Sequence, residues 1–168
     1  MKKKRDLLFA RNKPEIREAH EDDLKWLWAA YKSADGDLSQ EDFIHHMESH
    51  FASYNDVLIV EDYNSSFKNG IGPIAVVAAK TNNWIYEPHV EWFPWATNRN
   101  KLRSAVGFFQ KYRYKQYGVV IVHCLEEHRK FFDRMKNYVP LFFRGKIPSG
   151  DEFARGDDYI FSMRAKNG

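Results

Sequence analysis

Residues 84–124 read WIYEPHVEWFPWATNRNKLRSAVGFFQKYRYKQYGVVIVHC, and this stretch decides the fold. Trp84 to Trp95 reads as a strand, rich in aromatic residues and only loosely alternating. Asn98 or Asn100 opens a helix. Leu102, Ala105, Val106, Phe109 and Tyr112 recur at helical spacing, and Arg103, Lys111, Arg113 and Lys115 take the opposite face. Tyr117-Gly118 stops it, with glycine where a helix commonly ends on a left-handed residue. Val119 to Val122 is an unbroken β-branched run, which predicts a strand buried on both faces. Strand, helix and strand in this order predict a right-handed parallel crossover.

Working outward, Pro14 to His20 reads as a short strand with Ile16 as its one strong apolar residue. Glu21-Asp22-Asp23 suits a helix start, and Leu24, Leu27, Trp28 and Tyr31 supply one apolar face before Asp35-Gly36-Asp37 ends the helix. Ser39 is the N-cap of a second helix, with Phe43, Ile44, Met47 and Phe51 on its buried side and Asn55-Asp56 as its break. Val57 to Val60 and Pro73 to Ala79 are strands that form an antiparallel meander with Trp84 to Trp95. Downstream, Glu126 to Asn137 is a short helix with Phe131, Phe132 and Met135 inside. Val139 to Phe143 and Tyr159 to Met163 close the chain as two strands, joined by a loop with Pro148-Ser149-Gly150. The order β-α-α-β-β-β-α-β-α-β-β predicts a mixed α/β class with one central sheet. A basic tail, residues 1–13, precedes a single domain, residues 14–168.

The 168 residues are 43% hydrophobic and 29% charged, a globular composition rather than a disordered one. Thirteen Phe, nine Tyr and five Trp make the chain unusually aromatic. A single cysteine, Cys124, excludes an internal disulfide. No apolar run approaches the ~18 residues of a membrane span, and the basic start leads only into Leu7-Leu8-Phe9-Ala10, too little for a signal peptide. A cytoplasmic setting is the expectation. The net charge of +3 is unevenly spread. Lys2, Lys3, Lys4, Arg5, Arg11 and Lys13 against Asp6 give the tail +5, which leaves −2 for the rest. Such a tail is either a solvated terminus or a weak nucleic-acid contact made by counterion release.

Four constellations bear on chemistry. The segment Phe93-Pro94-Trp95-Ala96-Thr97-Asn98-Arg99-Asn100-Lys101-Leu102-Arg103 places capping residues and three cations at a helix start. Unpaired N–H groups and positive charge there suit a diphosphate, and a capped helix without ligand fits the same residues. Glu87, His89 and Glu91 share one face of a strand by their period of two, as candidate bases or as a polar outer face. His46 and His50 have metal-ligand spacing, but no evident third and fourth ligands accompany them, so solvated histidines are expected and no metal. His123 and Cys124 are strand neighbours that point to opposite faces, so they form no dyad; His123 either lines a cleft or packs. Trp84, Tyr86, Trp92, Phe93 and Trp95 crowd one strand, either lining a substrate channel or stacking on bases, or, the preferred reading in the absence of an alternating basic-aromatic pattern, as core with a protein-facing patch.

The element order resembles the GNAT, or Gcn5-related N-acetyltransferase, superfamily over nearly the whole chain. The resemblance implies that the fourth and fifth strands splay and hold acyl-coenzyme A, with its pyrophosphate on the following loop. Phe93, Trp95, Thr97, Asn98, Arg99, Asn100, Lys101 and Arg103 would then contact the coenzyme. Glu91, and second His89, would help deprotonate a primary amine, and acetyl-coenzyme A would be the donor substrate. Two departures stand out. The family loop Gln/Arg-x-x-Gly-x-Gly/Ala has no glycine here, for Asn100-Lys101-Leu102 or Lys101-Leu102-Arg103 replaces it. Where many members carry a tyrosine that protonates the departing thiolate, this chain has Phe132; Tyr138, six residues on, is read as the start of the next strand. The stretch Val122-His123 followed by His128-Arg129-Lys130-Phe131-Phe132 is similar to small GNAT-like proteins of T7-like bacteriophages. Two functions follow as expectations: N-acetyl transfer to a protein or small-molecule amine, or a non-catalytic virion or assembly role. The second would place the chain in the virion or host cytoplasm, with phage or host proteins as partners.

Overall fold

The computed structural model describes residues 8–9, 12–82, 84–112, 118–148 and 157–164. Most of the basic tail, Arg113, Lys115, the Tyr117 stop and Ser149-Gly150 lie outside them. The described residues form seven strands and four α-helices: β1 (Glu15–Glu18), α1 (Leu24–Ser33), α2 (Gln40–Phe51), β2 (Asp56–Tyr63), β3 (Ile71–Thr81), β4 (Ile85–Trp92), α3 (Asn98–Tyr112), β5 (Val119–Leu125), α4 (Glu126–Met135), β6 (Phe142–Ile147) and β7 (Asp158–Arg164). The order is the one read from the sequence. The strands form one sheet in the order β1-β2-β3-β4-β5-β7-β6, with β4 and β5 parallel and β1–β2, β2–β3, β5–β7 and β6–β7 antiparallel.

The chain divides into two compact units. One comprises Lys13–Thr81 and His89–Ser104. Its core joins Leu27, Phe43, Met47, Ile59, Val76 and Phe93, with Trp28, Tyr31, Ile44 and Phe51 packed against them. Ile59 and Val76 face each other across β2 and β3, and full burial of such a side chain contributes roughly 1.5–3 kcal/mol. The two helices meet through rings, since Phe43 lies 5.2 Å from Trp28 and 4.9 Å from Tyr31. α1 ends at Ser33, and Asp35 follows with φ 57°, so the left-handed turn falls on an aspartate that tolerates it. Ser39 caps α2, its Oγ accepting from the Asp42 N–H at 3.1 Å.

The other unit comprises Met1–Asn12, Asn82–Pro88 and Ala105–Gly168. Tyr86, Val106, Met135, Phe161 and Met163 are fully buried in it. α4 covers β7 through Phe132, whose ring stacks on Phe161 at 5.3 Å. β6 is the last strand of the sheet, and Phe142, Phe143 and Ile147 are exposed along it.

Three expectations are corrected. β5 is not buried on both faces: Val120, Val122 and Cys124 are buried, Val119 and Ile121 are half-buried, and His123 is exposed, so the run alternates like a one-sided strand. The strand expected over Val139–Phe143 begins only at Phe142. Pro140 has no N–H for a ladder, and Val139 donates back to the Met135 carbonyl at 3.1 Å, closing α4. Tyr138 therefore lies in the turn after α4 and starts no strand.

Candidate functional site

β2 carries an apolar run into Glu61 and Asp62, and a bulge between Val60 and Glu61 shifts the register there. Asp62 is buried at 3% exposure despite its charge. The partner is Arg103 on α3, itself 4% exposed. Its Nε donates to Asp62 Oδ2 at 3.0 Å and its terminal nitrogen donates to Oδ1 at 3.1 Å, a fork on a fork. Asn100 joins them. Its amide nitrogen donates to Asp62 Oδ2 at 3.1 Å and to the Tyr63 carbonyl at 2.7 Å. Its Oδ1 accepts from Asn64 Nδ2 at 2.9 Å, the Thr97 hydroxyl at 2.8 Å and the Thr97 N–H at 3.2 Å. Thr97 completes a reciprocal cap, its Oγ1 accepting the Asn100 N–H at 3.1 Å.

This network fixes the segment from Phe93 to the first turn of α3 by side chains where a glycine loop would do so by backbone approach. Asn64 Nδ2 also donates to the Trp95 carbonyl at 2.8 Å, and Trp95 Nε1 donates to the Pro73 carbonyl at 2.7 Å. Phe93 is a core residue, 3% exposed, with Trp95 stacked on it at 5.0 Å. Of the residues expected at a coenzyme, Phe93, Asn100 and Arg103 are thus committed to the protein's own interior. The polar groups of Asn100 and Arg103 face Asp62, Asn64 and Thr97, and the Phe93 ring has none. Thr97, Asn98 and Arg99 are exposed, and Lys101 and Trp95 are half-exposed. The backbone N–H groups of Asn98 and Arg99 stand at the first turn beside these cations, so an anion fits the α3 start in chemistry, though through fewer side chains than expected.

His89 and Glu91 are exposed on the outer half of β4, and the His89 ring meets Tyr54 edge-on at 5.7 Å. On β2's other flank, Arg17 forms a second paired cluster. It donates to both oxygens of Asp23 at 2.8 Å and to Glu61 at 3.0 Å. These bonds hold the Asp23 carboxyl below its usual range and raise Arg17 further above its own. A cavity of about 510 Å³ opens beside Arg17, Trp26 and Phe67; Arg17 is paired there with Asp23 and Glu61, and Lys25 and Lys68 also line it.

In the second unit, the parallel ladder between β4 and β5 consists of Ile85↔Val119 and Tyr86↔Val120. Glu87 and Ile121 come next without a ladder pairing, so the strands part there. His123 lies two residues beyond Ile121. Its Nδ1 is 2.6 Å from Asp158 Oδ2 on β7, and its Nε2 is 3.8 Å from Glu87 Oε1 on β4. Leu125 pairs with Asp158 and His123 with Ile160, so His123 and Asp158 are diagonal neighbours on one face of the sheet. The signal was partly visible: Glu87 sat in the period-two trio and His123 was a possible cleft residue. Asp158 was missed, because nothing in the sequence reveals the β5–β7 register.

Cys124 is buried on the opposite face, and burial, reinforced by Asp158, pushes its thiol up to about 11. His45 and His46 are exposed, while His50 packs against the Phe51 and Tyr54 rings. Among the described residues no group of three or more histidine, cysteine or acidic side chains could hold a metal, and no helix is long and apolar enough to cross a membrane.

No family model matches the sequence, and no curated protein matches it either. Solved structures do. The spermidine N-acetyltransferase from Vibrio cholerae in complex with CoA and spermine superposes with a TM-score of 0.67 at 13% identity, over 91% of this chain and 96% of that one. RimL, a ribosomal L7/L12 alpha-N-protein acetyltransferase in complex with coenzyme A, gives 0.66 at 11% identity, over 93% and 96%. At such identities the likeness shows the fold, and the fold is that of the GNAT N-acetyltransferases.

Proposed function

We propose that the chain is an N-acyltransferase that moves an acetyl group from acetyl-coenzyme A to a primary amine. The parting of parallel β4 and β5 after Tyr86 and Val120 carries this reading, in a fold otherwise known here from N-acetyltransferases. The α3 start supplies Thr97, Asn98, Arg99 and Lys101 for a diphosphate, with Trp95 beside them. Glu91 and His89, exposed on the outer half of β4, are candidates to take the amine's proton, since the amine attacks only once deprotonated. Calorimetry with acetyl-coenzyme A is the test. Saturable binding supports the proposal, and no heat at millimolar ligand rejects it.

A second reading has its own support. Asn100 and Arg103 are bound to Asp62, and Phe132 stacks on Phe161 with no proton to give. These observations favour a non-catalytic GNAT-like protein of a phage particle or its assembly. That reading expects neither coenzyme binding nor thiol release with any amine.

A further inference from the structure

We infer that His123, oriented by Asp158 and faced by Glu87, is the proton shuttle of acyl transfer in this chain. The inference rests on the N-acyltransferase reading above.

Position comes first. Glu87 is the first β4 residue past the last ladder pair, and His123 stands on β5 just beyond the same point. The two side chains therefore flank the place where the strands open. His123 is 36% exposed, Glu87 and Asp158 35% each, so a ligand can reach all three.

Orientation follows from chemistry. An ionised carboxylate only accepts hydrogen bonds, so the 2.6 Å contact with Asp158 places the proton of neutral His123 on Nδ1. Nε2 is then left with its lone pair, on the side of the ring that faces Glu87. Glu87 Oε1 lies 3.8 Å from Nε2, too far for a direct hydrogen bond. A base held in one tautomer by a carboxylate, its other nitrogen not bearing the proton, is the arrangement that proton transfer needs.

The chain also needs such a group. Phe132 has no proton, and its ring is committed to Phe161. One imidazole can serve both halves of the reaction. The amine nitrogen forms the C–N bond to the thioester carbonyl carbon, and its proton passes to Nε2. The C–S bond breaks with its electron pair on sulfur, and the imidazolium returns the proton to that sulfur. Amide and free thiol result, and His123 ends as it began.

The test has two readouts on the full chain. Nitrogen-15 NMR at mildly alkaline pH, with the His123 signals identified by their loss in His123→Gln, should show a protonated Nδ1 and a bare Nε2. Asp158→Asn should abolish that preference, and coenzyme A should shift the His123 Nε2 signal. Thiol release on a polyamine and on a peptide with a free amino terminus should fall about 10²–10⁴-fold in His123→Gln, with coenzyme A affinity kept within about threefold. A protonated Nε2 in the free protein overturns the inference, as does an Nε2 signal indifferent to bound coenzyme A. Turnover in His123→Gln within about threefold of wild type also overturns it and leaves the N-acyltransferase reading standing. If the wild-type chain takes up no coenzyme A, both fall together.

Discussion

Asp62→Ala should unfold this protein far more readily than a surface substitution would. The pair it breaks is almost without solvent, at 3% exposure for Asp62 and 4% for Arg103. Removing the carboxylate takes from the buried guanidinium the charge it forks onto, which costs about 3–5 kcal/mol. Asn100 Nδ2 also loses one of its two acceptors, though the Tyr63 carbonyl at 2.7 Å still serves it. For a chain of this length each kcal/mol moves Tm by about 2–4 °C, so the midpoint should fall by roughly 6–20 °C. Asp62→Leu combined with Arg103→Met removes both charges and keeps apolar volume, and it should recover stability to within about 1 kcal/mol of wild type. Urea and thermal denaturation followed by circular dichroism measure all three proteins. The reasoning is refuted if Asp62→Ala costs less than about 1 kcal/mol, the range of a solvated pair. It is equally refuted if the double variant is no more stable than the single one.

Arg17→Met should cost about 1–2 kcal/mol at neutral pH, since the Arg17 contacts to Asp23 and Glu61 are only partly buried. The Asp23 carboxyl is held low in the folded state, so its stabilisation is full above the ordinary carboxylate range and lost as pH falls through the lowered value. The gap between wild type and Arg17→Met should therefore close in acid, as denaturation midpoints across a pH series will show. Thr97→Ala should lose about 1 kcal/mol by uncapping α3, and Thr97→Ser should restore it in the same urea titration. Arg99→Ala and Lys101→Ala should leave stability within about 0.5 kcal/mol. They should nevertheless weaken coenzyme A binding in calorimetry, more so at low salt. Cys124 should alkylate slowly in the native state and rapidly in urea, since its thiol is buried and held protonated.

The element order was legible because apolar periodicity changes sharply at each boundary. Leu24, Leu27, Trp28 and Tyr31 could only be a helix face, and Ser39 capped the next helix as its hydroxyl and the following Asp42 suggest. Strand edges were harder. Val139 and Leu141 are buried, and burial in a turn looks in sequence like burial in a strand; Pro140 alone distinguished them. The candidate site was legible in place and misread in detail. The run of cations at 99, 101 and 103 looked uniform, but a helix turns about 100° per residue. Arg103 faces inward to an acid 41 positions earlier, while Arg99 stays outside. Asp62 gave little warning because a bulge after Val60, invisible in composition, set which of Glu61 and Asp62 turned to the interior. Asp158 likewise depended on a β5–β7 register that only the folded sheet defines.

The terminal strand β6 bears on how the protein must be handled. Its outer row of N–H and C=O groups lies at the end of the sheet, flanked by the exposed Phe142, Phe143 and Ile147. Such an edge templates sheet growth between molecules unless something interrupts it. Three local interruptions are present: the register shift between Phe143 and Gly145, Arg144 donating to Ser162 Oγ at 2.6 Å, and Lys146 paired with Asp157. Refolding yield should thus depend on protein concentration and on buffer, with dilute conditions and low ionic strength, where these charges are least screened, giving the least precipitate.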